Sequence, residues 1–375
     1  MILAVAVLSV FAVIPAQVRA EDLDRRIAVS PGGHLQVDLD MGEETRSGRV
    51  SLEVRSHNAD EVWAVADLSG LGASSVKFRL DHDERGVVRL YGRAGGLMSW
   101  LFGGPGVSVR VWVPPEFSLD LRCPSGPIRI EDVNGEVRSR TQDASIEVRA
   151  VDGNLRLRTR GGTVAVTEVV GDVVVRTSEG SLELRWVTGD IEARTDRGDI
   201  EARHIDGRVD LRTDAGEISL HEVRGMAEAK TERGAVFASF TGPPWGRLET
   251  RRGSVEVIFP ARFGVQLDAR SRNGTVEVDA GAERHRKGKR DHFIGALNGG
   301  GKPLHVYTAR GSIRVHPRYG EKSHASTCNR AGVRGGPSSR RSFRGTGVSQ
   351  ALRRRAGRNA RDRARRGLDR GRDEW

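Results

Sequence analysis

Six threonines stand eighteen residues apart, at Thr141, Thr159, Thr177, Thr195, Thr213 and Thr231, and few folds tolerate so strict a period. A glycine opens the segment after each corner at Gly126, Gly162, Gly180, Gly198, Gly216 and Gly234, with Ala144 filling the missing place. A second glycine column runs through Gly135, Gly153, Gly171, Gly189, Gly207 and Gly225, so each period is made of two halves of nine. A fixed short period is the signature of stacked repeats, in which each copy buries its apolar side against its neighbours.

Within each half the apolar residues alternate with polar ones. Ile146 and Val148, Leu182 and Leu184, and Ile200 and Ala202 alternate with Glu147 and Arg149, Glu183 and Arg185, and Glu201 and Arg203. The second halves repeat this with Leu155 and Leu157, Val173 and Val175, Ile191 and Ala193, and Val209 and Leu211. Period two means a strand with aliphatics inward and charges outward. A half of nine residues is too short for a strand plus a helical crossover, which takes about a dozen or more. The chain must turn at each glycine and lay every strand beside its equivalent in the next coil. The expected fold is all-β: a parallel β-solenoid with 18-residue coils, two short strands per coil, rising about 4.8 Å each time. A further column, Val133, Val151, Val169, Val187, Ile205 and Val223, should plug one corner of the core. At the other corner, "T-x-x-G", the hydroxyl is expected to bond local backbone and the glycine to take positive φ.

Residues 125–317 carry the repeat, strictly over 125–242 and more loosely over 243–317, where "RLETRRGSVEVIF", "LDARSRNGTVEV" and "LHVYTARGSIRV" keep the corner. Residues 21–124 lack the period but contain six alternating segments, expected to form an all-β N-terminal cap region over the open end. Inside it, "GGLMSWLFGGPG" gathers Leu97, Met98, Trp100, Leu101 and Phe102, either as the cap's apolar contact or as a loop for a partner or membrane. The insertion 280–301 carries Arg284, Arg286, Lys287, Lys289 and Arg290, read as a solvated loop or an anionic-polymer contact.

The chain ends differ from the body. Residues 1–20 hold an apolar run from Ile2 to Ile14 and Val18-x-Ala20 before "EDLD", which suits a signal peptide; a retained anchor or a buried strand are the alternatives. With the segment cleaved, no membrane span is expected, and the protein is placed in the periplasm, on the outer surface or in the medium. Of 61 Lys and Arg, 17 lie from Arg318 onward, with only 5 of the 50 acids. The net charge of +11 therefore belongs to the tail, residues 318–375, and argues against nucleic acid as a partner of the folded body. That tail lacks alternation and is read as disordered, either a polyanion-binding segment or a reading-frame artefact. Cys123 and Cys328 are the only cysteines and show no metal spacing; a disulfide between them is not expected.

The corners "TSEGSL", "TDRGDI", "TDAGEI" and "TARGSI", with the opening "IAVSPGGHLQVDLDMG" and the segment "SHNADEVWAVA", resemble the bacterial "putative adhesin" domains. The resemblance covers roughly residues 26–317 and departs from that family's T-S-G-G-S-I corner. It implies a β-solenoid in an exported or envelope protein, a family of unknown function, and it brings no catalytic residue.

One outward column is cationic: Arg140, Arg158, Arg176, Arg194, Arg212 and Lys230, one per coil. It reads either as a binding stripe for an anionic polysaccharide, gaining from many weak contacts, or as a solvated face neutralised by Glu192, Asp210 and Glu228. An envelope protein is the other partner considered. The competing reading, a polysaccharide lyase or hydrolase, needs converging carboxylates in a cleft, and coils this short leave no room for one. Calcium-binding rolls need repeated Asp turns, but Asp152, Asp196, Asp206 and Asp214 occupy non-equivalent places. Ice binding needs flat Thr rows where this chain has charges. The expectation is a non-enzymatic adhesin-like binding or scaffolding protein without cofactor or metal, its oligomeric state left open.

Overall fold

The computed structural model describes residues 23–40, 50–70, 73–83, 86–94, 106–124, 126–279, 285–287 and 290–318. The apolar segment 1–20, the loop residues Leu97, Met98, Trp100, Leu101 and Phe102, the side chains of the basic cluster 284–290, and the tail from residue 319 lie outside them. The chain forms two compact units, residues 1–148 with 157–162, and residues 149–156 with 163–375. Apart from one 3-10 turn at Ala73–Ser75, the described elements are all strands, as the alternation requires.

In the second unit the solenoid is regular. Leu182–Thr188 pairs in parallel with Val164–Val170 on one side and Ile200–Asp206 on the other, always with partners eighteen residues apart, such as Leu182 with Ile200. The companion sheet stacks Val173–Arg176, Ile191–Arg197, Val209–Ala215 and Ala227–Arg233 in the same way. The inward aliphatics of both sheets are buried throughout.

Two devices make the corners. At the first, the threonines are buried; the Thr177 hydroxyl accepts from the local Gly180 amide at 3.2 Å, as expected, while further along the hydroxyls donate to the carbonyl of the corner glycine one coil earlier. Thr195 reaches Gly180 at 3.1 Å, Thr213 reaches Gly198 at 3.1 Å and Thr231 reaches Gly216 at 3.0 Å. The glycine is needed for room as well as conformation: Gly198 has φ +149, and a Cβ there would be driven into the Gly180 carbonyl. The second corner has a residue in the left-handed region once per coil: Asp132, Ala150, Glu168, Trp186, His204 and Glu222, with φ between 54 and 59. This left-handed residue breaks the alternation. Leu182 and Leu184 face inward, Trp186 is thrown outward, and Val187 takes the inward place. The valine column thus plugs the core because the residue before it is left-handed.

At the end of the second unit the chain stops stacking in sequence order. Pro303–Arg310 lies between Gly246–Arg252 and Val265–Ser271, parallel to both, and Ile313–Arg318 lies between Val255–Pro260 and Val276–Val278. Arg290–Leu297 then adds antiparallel to Val265–Ser271, and the three-residue His285–Lys287 pairs antiparallel with it at the sheet edge. The corner bond survives this rearrangement: Thr308 donates to Gly253 and Ser271 to Gly311, each at 2.8 Å. On the companion sheet the edge is only three residues long, and its Val276 amide donates to the buried Asp291 carboxylate at 3.1 Å. Short or covered edges guard against stray pairing.

The first unit solves its end in the same way. His34–Asp40 lies between Val87–Ala94 and Ser118–Arg122, and Val50–Ser56 between Gly106–Val113 and Ile128–Val133, all parallel. Antiparallel strands finish both sheets: Val76–His82 on one, and Glu61–Ser69 followed by Leu23–Ala28 on the other. There Trp63 and Trp112 stack at 4.3 Å, and Arg26 covers the Trp63 ring at 4.4 Å, which ties the terminal strands to the coil beneath.

Candidate functional site

In the second unit, Arg176, Arg194, Arg212 and Lys230 are direct cross-strand partners in one exposed column. In the first unit Arg140 pairs in register with Arg122, and Arg158 is exposed. Like charges at the strand spacing repel, and the second unit answers with the column two residues earlier. Arg176 and Arg194 both lie 3.2 Å from Glu192. Asp210 accepts two bonds from Arg212, at 3.0 and 3.1 Å; the hydrogen bond first, and then the carboxylate charge, raises the Arg212 pKa above its ordinary value. Glu228 takes Arg208 at 3.2 Å. Lys230 has no such partner among the described residues.

Beyond Lys230 the pattern changes. Its next partner along the sheet is Glu249, followed by Tyr307 and Arg270. Here the face is hollowed into a concavity of about 620 Å³, whose walls carry Lys230, Arg247, Arg251, Arg270 and Arg272 against Glu232, Glu249 and Asp268. A shallower depression of about 310 Å³ adjoins it and shares Lys230, Arg247 and Glu249. Each acid of the hollow is held by a base: Glu232 by Arg251 at 3.0 Å, Glu249 by Arg247, and Asp268 by two bonds from Arg270 at 2.8 Å. His292 also lies 3.1 Å from Asp268. Burial alone would raise the Asp268 pKa, but the bonds from Arg270 and His292 outweigh it and hold the carboxyl below its ordinary range. Lys230 and Arg272 are the bases of the hollow with no carboxylate partner among the described residues. Among those residues, no group of three or more His, Cys, Asp or Glu is placed to hold a metal ion.

The sequence singled out the stripe but missed the hollow. The signal was present in part: the column switches from base to acid at Glu249. The inserted coil that supplies Tyr307 and His305 is far along the chain, and no period connects it. Also missed is a ladder at a turn, where Asn154 accepts from the Asp172 amide, Asp172 from Asp190 and Asp190 from Arg208, at 2.9 to 3.1 Å. These three side chains are eighteen apart and spend an oxygen on backbone.

This is a parallel β-solenoid with a charged outer face. Residues 137–316 match the model of the family described as Toastrack DUF4097, a domain of unknown function. A crystal structure of a "putative cell adhesion protein" from Clostridium sporogenes is 9% identical, covering 80% of this chain and 100% of its own, with a TM-score of 0.18. A "putative adhesin" from Parabacteroides distasonis is 8% identical, covering 80% and 98%, with a TM-score of 0.27. No curated protein matches this chain.

Proposed function

We propose that this is an exported, non-enzymatic, adhesin-like surface module that binds an anionic polymer, with the strand of ligand seated in the hollow and running along the Arg212–Lys230 end of the stripe. The observation that carries this reading is the hollow's excess of base: five Lys and Arg against three acids, with Lys230 and Arg272 lacking a carboxylate partner among the described residues. A polysaccharide carboxylate or sulfate can pair with those two without breaking an existing ion pair. The paired Arg176, Arg194 and Arg212 contribute less, because exposed pairs already satisfied gain little from a second anion. The apolar leader, residues 1–20, supports export. The ion-paired state of Glu232, Glu249 and Asp268 argues against acid–base catalysis in the hollow, since a proton shuttle needs a carboxyl able to exchange its proton.

The test compares the full chain with its Lys230→Ser, Arg272→Ser double variant on alginate, heparin and neutral dextran at low and physiological salt. Both proteins carry the same basic tail, so their difference reports the folded face. The expected result is binding to the anionic polymers that weakens with salt and falls about tenfold in the variant, roughly two lost contacts of modest strength. Equal binding by the two proteins would remove the hollow from the function.

A further inference from the structure

We propose a second binding site, separate from the charged face, in which the ring of Trp186 stacks on a neutral pyranose of an oligosaccharide chain. Trp186 occupies the left-handed position of its coil with φ 58. The left-handed region is uncommon outside glycine, and a bulky residue there is an outlier. The other members of the column are Asp132, Ala150, Glu168, His204 and Glu222, so the corner itself does not call for an aromatic ring. Trp186 is also 52% exposed, and with Ile294 it is one of two large apolar side chains exposed among the described residues. A strained, exposed aromatic that the fold does not require is a pointer to function.

The ring is held from one side. His204 stacks on it at 3.8 Å with 11° between the planes, and the His204 Nδ1 lies 2.8 Å from Glu222. The opposite face of the ring looks toward the preceding coil. There the flanking pairs Thr167 with Arg185 and Val169 with Val187 place Glu168 in register with Trp186. Glu168 has no ion pair or hydrogen bond among the described residues. Ala150, in the same left-handed conformation eighteen residues earlier, adds only a methyl group. The ring is thus braced by His204 on one face, has the half-buried, uncommitted Glu168 carboxylate on the other, and keeps 52% of its surface open to solvent.

That chemistry selects the ligand. Among the described residues the only other exposed large apolar side chain is Ile294, which disfavours a lipid surface or a protein interface, since these need contiguous apolar area. A pyranose has one small face of C–H groups ringed by hydroxyls. Its C–H groups carry slight positive charge and fit the negative face of the indole, while the Glu168 carboxylate accepts from the hydroxyls. Because the ring is already fixed by His204, little ordering is lost on binding.

The test uses the full chain with maltohexaose, cellohexaose, mannohexaose and chitohexaose, followed by saturation-transfer NMR and calorimetry. At least one is expected to bind with Kd below about 10 mM, a range fitting one stacked ring and a few hydrogen bonds. Trp186→Ala should weaken it about tenfold or more, Trp186→Phe only a fewfold, and Glu168→Gln severalfold, in line with loss of an aromatic anchor and of a charged acceptor. The Lys230→Ser, Arg272→Ser variant should bind the neutral sugars unchanged, so this site and the polyanion site stand or fall separately. Circular dichroism and melting of Trp186→Ala should match the parent, as expected of an exposed side chain. Absence of binding by all four sugars, or equal binding by Trp186→Ala, would overturn the proposal.

Discussion

In the coils from Val164 to Phe240, order along the chain is order in space; near the two ends of the chain it is not. The regular coils take their register from a period that repeats in sequence. The end coils take theirs from partners far away, as when Thr308 finds Gly253 across 55 positions. Yet the corner bond is the same in the regular coils and in the inserted coils at the end of the second unit. Chain connectivity therefore does not create the stacking. The corner does: a buried hydroxyl over a glycine carbonyl fits wherever one coil settles on another, and the connection between coils is free to vary.

The comparison can be broken most forcefully at the glycines. Gly198→Ala, inside the regular coils, forces a side chain onto a backbone carbonyl and is expected to cost about 3–5 kcal/mol, the range of backbone strain with displaced packing. Gly299→Ala, in the end region, has positive φ but open space around it, so only the conformational penalty of about 1–2 kcal/mol applies. Urea unfolding of the two variants measures the contrast, and similar losses would mean that room at the corner is not what glycine supplies.

A smaller effect tests the shared device. Thr213→Val and Thr308→Val each remove one hydroxyl from a buried carbonyl and are expected to cost about 1–2 kcal/mol apiece. Near-equal losses would show that the corner bond has the same worth in sequential and inserted coils. If only Thr213→Val is felt, connectivity matters after all.

The mildest contrast is in pH. Burial, and then the charge of Arg203, lowers the pKa of His221 in the regular coils. Its contribution to stability is full above the ordinary histidine value near 6.5 and is lost as the pH falls below it. The Asp268 carboxyl in the end region is also lowered, so its contribution is present above the ordinary carboxylate value near 3.8 and is lost as the pH falls further. Hydrogen exchange read by region should show the regular coils loosening first on acidification. His221→Gln should remove that first step and leave the second in place.

Much of the fold was legible because it is written once per coil. Thr195, Gly198 and Ile200 say strand, corner and strand in a fixed order, and steric necessity leaves a parallel stack as the way to satisfy them. The left-handed column was not legible, since Ala150, Glu168 and Trp186 share a conformation but no chemistry; only the slip in parity between Leu184 and Val187 betrays it. The hydroxyl bond of Thr213 was assigned to local backbone because a sequence shows neighbours along the chain and not the coil below. For the site, the stripe was visible as a spacing. The hollow was not, because it forms where Tyr307 and Arg270 are brought beside Glu249 by the inserted coil.

That inserted coil also sets the order of events during synthesis. Pro303–Arg310 and Ile313–Arg318 are the last described strands to leave the ribosome, and they belong between coils made before them. Until they emerge, Ser271 has no Gly311 carbonyl to meet, and the nearest substitute is Gly253, the seat reserved for Thr308. The nascent chain has to hold that gap open or give up a wrong pairing to fill it. Assembly of this stack ends with a wedge driven home.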